Sequence, residues 1–217
     1  MEILSKIDHA VLKPEMTDKD LKRECEIAKK YGVASVCVKP CHVKKAVKLL
    51  DGSNVKVSTV IGFPHGAVTT ACKVKEAKQA IKNGATELDM VINIGKILSA
   101  KLLYIANEIR KVVDVAHKHD VIVKIILETA LLDKAQIVQV CRIASGAHAD
   151  YVKTSTGFNG RGASLEDISL MKASVCGRTK IKASGGIKTF EDAYKFIQAG
   201  CDRIGTSSTE VIAEKQK

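Results

Sequence analysis

Two lysine-containing segments carry the residue pattern that most suggests catalysis. Residues 151–158 and 180–186 each read as a short strand that runs into a glycine-containing turn. The first segment contains Lys153 and the second contains Lys182, which are 29 residues apart by their numbering. That separation suits one strand, one helix and the next parallel strand. We therefore expect the two amines to lie side by side in a buried site, where one of them becomes a nucleophile.

A crowded lysine can do chemistry that an isolated lysine cannot. A free lysine, with a pKa of about 10.4, is protonated at neutral pH and attacks carbonyl groups poorly. Partial burial and a like charge within ~4–6 Å disfavour the protonated form. The neutral amine then attacks a carbonyl to form a Schiff base, and the protonated imine accepts electrons when a nearby carbon–carbon bond breaks. A carboxylate beside the imine, such as Asp89, could move protons through a water.

The elements that must position these side chains are short apolar segments, each followed by an amphipathic segment. Such alternation predicts parallel strands covered by helices. Thr17 with Asp20 three residues later resembles a capping box, and Asp133, Ser164 and Thr189 also mark predicted helix starts. We predict strands within residues 8–12, 33–38, 55–63, 87–93, 121–128, 151–158, 180–186 and 202–208.

Eight strand–helix units predict a closed (β/α)8 barrel, the TIM-barrel fold of the α/β class. We expect a single domain that spans residues 1–217, with a short segment before the first strand and no linker. The length of 217 residues lies near the lower end of the range of about 200 to over 400 that is typical of this fold. The predicted helices include 99–118 and a last short helix that ends at residue 217.

Polar residues on the predicted strands fall where the barrel interior should be. On the fourth strand the apolar residues alternate toward the helices, so Asp89 and Asn93 would face inward. Lys124, Lys153 and Lys182 would face inward on the next three strands. One carboxylate and three ammonium groups would then converge. The alternative is that each lysine lies at a strand end with its amine in water and that the aspartate caps a helix.

Glycine- and serine-rich turns follow the seventh and eighth predicted strands. Residues 185–187 begin with two glycines, and residues 205–208 read Gly-Thr-Ser-Ser. Barrels often bind phosphate at these loops through backbone N–H groups. We therefore expect a phosphorylated substrate, although turn geometry alone could explain either glycine cluster.

The formal net charge of +11 suggests nucleic acid, a membrane surface or an anionic substrate as partner. Most lysines fall where helix faces would be solvated, as do Lys73, Lys75, Lys78 and Lys82. Base stacking has little support, because aromatic residues make up 4% of the chain and Trp is absent. We expect a solvated basic surface and no nucleic-acid partner. The alternatives are a nucleic-acid-binding protein and a barrel enzyme whose lysines only clamp phosphate.

No apolar run reaches the ~20 residues of a membrane span, and the first 20 residues do not resemble a secretory signal. The seven cysteines are scattered and odd in number, which favours reduced thiols in the cytoplasm. Cys37, Cys41 and His42 could suggest a metal site, but no second pair of ligands completes it. We therefore expect no membrane partner and no metal.

Three motifs in combination are highly specific. They are Asp-Met-Val-Ile-Asn at 89–93, Lys-Thr-Ser-Thr-Gly-Phe at 153–158 and Lys-Ala-Ser-Gly-Gly at 182–186. With these motifs the chain resembles the deoxyribose-phosphate aldolase family, and the resemblance covers nearly the whole sequence. Further matching segments are 7–14, 35–38, 62–66, 124–129 and 205–208.

The resemblance implies a class I aldolase that needs no metal or other cofactor. The family reversibly cleaves 2-deoxy-D-ribose 5-phosphate to acetaldehyde and D-glyceraldehyde 3-phosphate, within deoxyribose phosphate catabolism, and its barrels usually form dimers or tetramers. By the same resemblance Lys153 forms the Schiff base, Lys182 lowers the pKa of Lys153, and Asp89 relays protons. The charge network and substrate wall would include Lys124, Asp8 and Cys37. The implied phosphate-binding residues are Gly157, Gly185, Gly186, Gly205 and Ser207.

The chain departs from the family pattern at several positions. Ala10 replaces a threonine whose hydroxyl is expected near the substrate, and His65 replaces a leucine in the Gly-Phe-Pro segment. Lys188 stands where many relatives carry arginine, and the longer tail ending in tyrosine that some members have is missing after residue 217. We expect these departures to affect rate and substrate preference more than reaction type.

Overall fold

The computed structural model describes residues 3–215, which form a closed barrel of eight parallel strands. Each strand pairs with the next along the chain, and the first pairs with the last. A short 3₁₀ turn, Leu4–Lys6, precedes the barrel. The strands are β1 Ile7–Val11, β2 Ser35–Val38, β3 Lys56–Ile61, β4 Glu87–Val91, β5 Ile122–Ile126, β6 Tyr151–Lys153, β7 Lys180–Ser184 and β8 Arg203–Thr206.

Helices cover the outside of the barrel, so the predicted fold class, a single-domain (β/α)8 barrel, is confirmed. The predicted capping box at Thr17 and Asp20 is present, and Asp133, Ser164 and Thr189 cap helices as expected. The helices are α1 Asp18–Tyr31, α2 Val43–Leu49, α3 Thr70–Lys82, α4 Ile94–Leu98, α5 Leu102–His117, α6 Lys134–Gly146, α7 Leu165–Ser174, α8 Phe190–Gln198 and α9 Thr209–Glu214.

The region after β4 differs from the prediction of one helix over 99–118. The predicted helix is present as α5, and an additional short helix, α4, precedes it because the side chain of Asn93 accepts a hydrogen bond from the Lys96 N–H and caps its start. Asn93 therefore caps a helix and does not face the barrel interior as predicted. The end predicted for the last helix, residue 217, lies outside the described residues.

The main apolar core lies between the barrel and its helices. Leu88, Met90 and Ile92 of the β4 segment are fully buried and belong to this core, as their alternation with Asp89 predicts. Burying each such side chain contributes roughly 1.5–3 kcal/mol, so this layer is the main source of the stability that holds the interior side chains in place.

Lys73 on α3 was predicted to be solvated, and that prediction is wrong. Its side chain is fully buried, and its Nζ lies 2.8 Å from Glu108 Oε1 on α5 and donates to the Val91 carbonyl at 2.7 Å. Glu108 in turn accepts the Asn93 N–H at 3.0 Å. This buried ion pair fastens the end of β4 to two helices. The other three lysines named with Lys73, at positions 75, 78 and 82, are exposed as expected.

Candidate active site

Ion pairs connect seven charged side chains inside the barrel. They stand on six of the eight strands, and the strand pairing sets Asp89 beside Lys124 and Lys153 beside Lys182. Because inward side chains of neighbouring parallel strands meet at the barrel axis, charges on separate strands come within contact distance. The members are Asp8, Glu87, Asp89, Lys124, Lys153, Lys182 and Arg203.

Asp89 joins the two lysines that the sequence singled out. Its Oδ2 atom accepts a hydrogen bond of 2.8 Å from Lys153 Nζ and another of 2.8 Å from Lys182 Nζ. The two amines therefore lie within about 6 Å of each other, close enough for one charge to disfavour the other. Lys182 Nζ also donates to Asp8 Oδ2 at 2.5 Å, so Lys182 has two carboxylate partners and Lys153 has one.

Lys124 and Arg203 lie on the far side of these carboxylates. Lys124 Nζ lies 2.9 Å from Asp89 Oδ1, 3.2 Å from Asp8 Oδ2 and 2.5 Å from Glu87 Oε2. Arg203 bridges Asp8 Oδ1 at 2.5 Å and Glu87 Oε1 at 3.3 Å. Hydroxyls complete the arrangement, since Ser35 donates to Asp8 and Ser58 donates to Asp89. The carboxylates are thus held from both sides.

The surroundings push the pKa values of the lysines in opposite directions. Burial lowers the pKa of Lys153, and the Lys182 cation lowers it further against the opposing pull of Asp89. Burial alone would also lower the pKa of Lys182, but Asp8 and Asp89 raise it above its usual value. The pKa of Lys124 is raised well above its usual value by the same two carboxylates and Glu87, despite burial.

The same contacts keep the aspartates ionised. Burial would raise the pKa of Asp89, but three lysines hold it well below its usual range. Burial would likewise raise the pKa of Asp8, which Lys124, Lys182 and Arg203 instead lower. The interior therefore holds three carboxylates and four cationic groups, and an unbalanced buried charge is costly. The charges balance when Lys153 is the neutral amine, which is the form that attacks carbonyl groups.

A cavity of about 530 Å³ opens above this network, a size that suits a small-molecule ligand. Lys153, Lys182, Asp8 and Cys37 line it, whereas Asp89 and Lys124 lie behind the lining. Lys153 thus combines a lowered pKa with access to a ligand. Ala10 also lines the cavity, so a hydroxyl is missing from its wall, while the exposed His65 is not part of the lining.

All of the glycines and the serine expected to bind phosphate line the same cavity. Gly186 has a φ of +78° and open space where a Cβ would lie, which leaves its backbone free to approach a ligand. At Gly205 the requirement for glycine is steric, because a Cβ there would lie 2.8 Å from Ser184 Cβ and 3.2 Å from Lys182 Cε. The residues brought together are Gly157, Gly185, Gly186, Gly205 and Ser207.

Cys37 is buried against the charge network, as expected of a residue facing the site. Burial and the Asp89 carboxylate raise the pKa of its thiol, although three nearby lysines oppose this. The thiol is therefore mainly protonated at neutral pH and a weak nucleophile. Cys37 forms part of the wall of the cavity rather than a second reactive group.

Sequence reasoning missed two members of the network, Glu87 and Arg203. Glu87 lies two residues before Asp89, and Arg203 two residues before Gly205, so the period of two residues could have placed both inside the barrel. Within residues 3–215, no three His, Cys, Asp or Glu side chains are grouped so that they could hold a metal ion. None of the helices in this range is both long and apolar enough to cross a bilayer.

Comparisons with known proteins agree with this geometry. Residues 3–208 match the family model described as DeoC/LacD family aldolase. A deoxyribose-phosphate aldolase of Treponema denticola is 50% identical over 208 residues, which cover 96% of each chain. One from Caldanaerobacter subterraneus is 47% identical over all of this chain and 94% of its own. The tetrameric deoxyribose phosphate aldolase structure from Aeropyrum pernix is 32% identical and covers 99% of this chain and 90% of its own, with a TM-score of 0.92.

Proposed function

Because the chain belongs to the DeoC/LacD family of aldolases, we propose that it reversibly cleaves 2-deoxy-D-ribose 5-phosphate into acetaldehyde and D-glyceraldehyde 3-phosphate. The enzyme is a carbon–carbon lyase. The observation that carries the proposal is Lys153, a buried amine with a lowered pKa that lines the cavity beside the cation of Lys182. The named activity of relatives at 47–50% identity supports the same substrate.

In the proposed mechanism the neutral Lys153 amine attacks the C1 aldehyde of the open-chain sugar. Loss of water gives a protonated imine, which draws electrons toward its nitrogen. A base then removes the proton of the C3 hydroxyl, the C2–C3 bond breaks, and its electron pair forms an enamine on C1 and C2. D-glyceraldehyde 3-phosphate leaves with C3 to C5. Protonation of C2 and hydrolysis of the imine then release acetaldehyde and return the free amine.

The neighbours of Lys153 have separate roles in this scheme. Burial and the Lys182 ammonium lower the pKa of Lys153 and so favour its neutral amine, and Asp8 and Asp89 keep Lys182 charged. Asp89 accepts a hydrogen bond from the Lys153 amine, so it can relay protons at that nitrogen through a water. Lys124 holds both carboxylates ionised from behind. We infer that Cys37 packs against the reacting end of the substrate.

The phosphate of the substrate is proposed to bind at the glycine-rich segments at the carboxyl ends of β6, β7 and β8. Gly157, Gly185, Gly186, Gly205 and Ser207 line the cavity there, and their backbone N–H groups and the serine hydroxyl supply neutral donors. Lys188 lines the same region and would add a positive charge. Binding at the phosphate would hold the aldehyde carbon at the lysines, which is where binding energy can be used for catalysis.

We further propose that the enzyme assembles as a dimer or tetramer of identical chains and works in the cytoplasm. The tetrameric relative from Aeropyrum pernix supports assembly, and seven free cysteines suit a reducing compartment. Light scattering after size-exclusion chromatography tests assembly, and a monomer at micromolar concentration would contradict it. Fractionation of the source cells tests the location.

Trapping of the imine with borohydride tests the mechanism directly. The protein is incubated with acetaldehyde and reduced, and the modified residue is mapped by peptide mass spectrometry. A stable two-carbon adduct on Lys153 is expected, while Lys73, a buried lysine outside the cavity lining, stays unmodified. An adduct on Lys182 would still support an aldolase mechanism, but it would exchange the roles assigned to Lys153 and Lys182. No adduct on folded protein would favour a non-covalent barrel enzyme in which the lysines clamp phosphate.

A further inference from the structure

Glu128, just after β5, stands out by its backbone and its burial. It has a φ of +58°, in the left-handed region that residues with side chains rarely adopt, and its side chain is fully buried. No lysine, arginine or histidine of residues 3–215 forms an ion pair with it, although buried carboxylates usually need a cation. A strained, buried and unpaired charge is retained only where its surroundings use it.

The hydrogen bonds of the Glu128 side chain all lead to the loop between β6 and α7. Its carboxylate accepts the Thr156 N–H at 3.2 Å, the Thr156 hydroxyl, and the Asn159 side-chain amide at 3.0 Å. The Asn159 amide also lies 3.3 Å from the Pro64 carbonyl of the loop after β3. Every partner of the carboxylate is a donor, so an acceptor-only group fits and a neutral amide would not. One carboxylate thereby joins three loops at the mouth of the barrel.

The loop that Glu128 holds forms part of the cavity wall. Thr156, Gly157 and Phe158 line the cavity, and Gly157 lies against Gly185 of the next loop, since a Cβ on Gly185 would be 3.7 Å from Gly157 Cα. A few residues later the loop crosses Gly185 so closely that a Cβ on Gly162 would lie 2.0 Å from the Gly185 carbonyl oxygen. The Glu128 contacts at Thr156 therefore help to fix the position of the Gly157 backbone relative to the neighbouring glycines, together with the hydrogen bond of 2.6 Å from Ser184 Oγ to the Ser155 carbonyl.

Lys153 is held by contacts that do not involve the Glu128 side chain. Its amine is held by Asp89, and its carbonyl accepts the Leu127 N–H at 2.9 Å. Loosening the loop should therefore move the glycine wall and leave the amine in place. We propose that Glu128 is a positioning residue that sets the preference of the enzyme for the phosphorylated sugar over the free sugar. This inference rests on the proposed function, in which Gly157 and its neighbours receive the phosphate.

The test compares 2-deoxy-D-ribose 5-phosphate with 2-deoxy-D-ribose in the wild type and in Glu128→Gln, which keeps the size of the side chain. The kcat/KM for the phosphorylated sugar should fall about tenfold or more, mainly through KM, because a displaced loop weakens positioning. The kcat/KM for the free sugar and the acetaldehyde adduct on Lys153 should stay near the wild-type values. Glu166→Gln removes an exposed glutamate that pairs with Lys134 and is the matched control, without effect on either substrate.

Asn159→Ala gives a second approach that leaves the strained position untouched. It removes one partner of the carboxylate and should therefore lower the preference for the phosphorylated sugar, but by less than Glu128→Gln does. An equal fall for both substrates would overturn the inference, since it would mean a general loss of structure. An unchanged preference in Glu128→Gln, or in Asn159→Ala if the former does not fold, would also overturn it. A wild type that does not cleave the phosphorylated sugar would instead overturn the proposed function, and this inference with it.

Discussion

Within residues 3–215 a lysine faces a carboxylate at two buried sites, and one of these two has the features of a catalytic site. Lys73 and Glu108 form the first, outside the barrel between α3 and α5. Lys153 and Asp89 belong to the second, inside the barrel. Burial lowers the pKa of both lysines, and in each case the carboxylate partner opposes the shift. A lowered lysine pKa alone therefore does not identify a nucleophile.

The two sites differ in what surrounds the amine. Lys73 is matched by a single carboxylate, donates to the Val91 carbonyl, and passes so close to Gly62 that a Cβ there would lie 2.7 Å from Lys73 Cε. Lys153 lines the cavity and shares its carboxylate with Lys182. A second cation beside the amine and access of the amine to the cavity therefore distinguish a nucleophilic lysine from a structural one.

Replacing Lys153 with leucine should have the largest effect. A leucine side chain cannot form an imine, so cleavage of 2-deoxy-D-ribose 5-phosphate should fall on the order of 10⁴-fold or more. The fold should survive, because three cations then face three carboxylates in the interior. Activity is measured by the release of acetaldehyde, and folding by circular dichroism and thermal unfolding. Full residual activity in Lys153→Leu would contradict the assignment, and Lys78→Leu on the exposed face of α3 is the control.

Replacing Lys182 with methionine should have the next largest effect and should change the pH profile. The Lys182 cation helps to lower the pKa of Lys153, so its removal raises that pKa. Because the neutral amine is the reactive form, the rate increases as pH rises through the Lys153 pKa, and this limb should shift to higher pH. At neutral pH the rate should fall by about 10²–10³-fold.

Lys182→Arg keeps a positive charge and is the matched comparison for Lys182→Met. Its pH–rate limb should lie closer to that of the wild type. A limb that stays in place in Lys182→Met would show that Lys182 does not control the protonation of Lys153.

Replacing Lys73 with methionine should affect stability and leave the chemistry intact. The change leaves the buried Glu108 carboxylate without its cation, which lowers the free energy of unfolding by about 3–5 kcal/mol. Activity per folded molecule should stay within a few-fold of the wild type, since Lys73 does not line the cavity. Urea denaturation measures the free energy of unfolding. Active-site titration by borohydride trapping counts the functional molecules, from which the activity per folded molecule is obtained.

The double variant Lys73→Met with Glu108→Leu sharpens this contrast. Two apolar side chains of similar size remove the stranded charge and should recover much of the lost stability. If Lys73→Met instead abolished activity while its stability stayed unchanged, Lys73 would have a catalytic role and the contrast between the two lysine sites would be wrong.

Most of the fold could be predicted from the sequence because its signals are local. Alternating apolar strands, amphipathic helices and capping residues such as Thr17 and Asp133 each depend on a few neighbouring residues, and they gave all eight strand–helix units. The inward phase of Asp89 and Lys124 followed from the period of two residues along a strand. The convergence of these charges then followed from closure of the barrel.

The parts that could not be predicted depend on partners distant in sequence. Lys73 shares a helix face with the buried Ala77 and Ala80, so its spacing favours burial, but only the fold reveals Glu108 as the partner that stabilises the buried amine. The period of two residues could have placed Arg203 and Glu87 inside the barrel, but only the fold shows that these residues, 116 positions apart, contact each other. Glu128 adopts a left-handed backbone that its residue type does not predict.

Changing Cys37 should have the smallest effect. It tests whether a residue that lies next to the charge network also takes part in the chemistry of that network. Burial and Asp89 raise the pKa of its thiol, so little thiolate exists at neutral pH. Iodoacetamide should therefore alkylate Cys37 more slowly than the exposed Cys72 and Cys176, as followed by peptide mass spectrometry. Cys37→Ala should keep activity within about threefold, because it removes one small wall atom and no charge. Alkylation of Cys37 ahead of the exposed cysteines would mean that the three lysines outweigh burial and that the thiol belongs to the reactive groups.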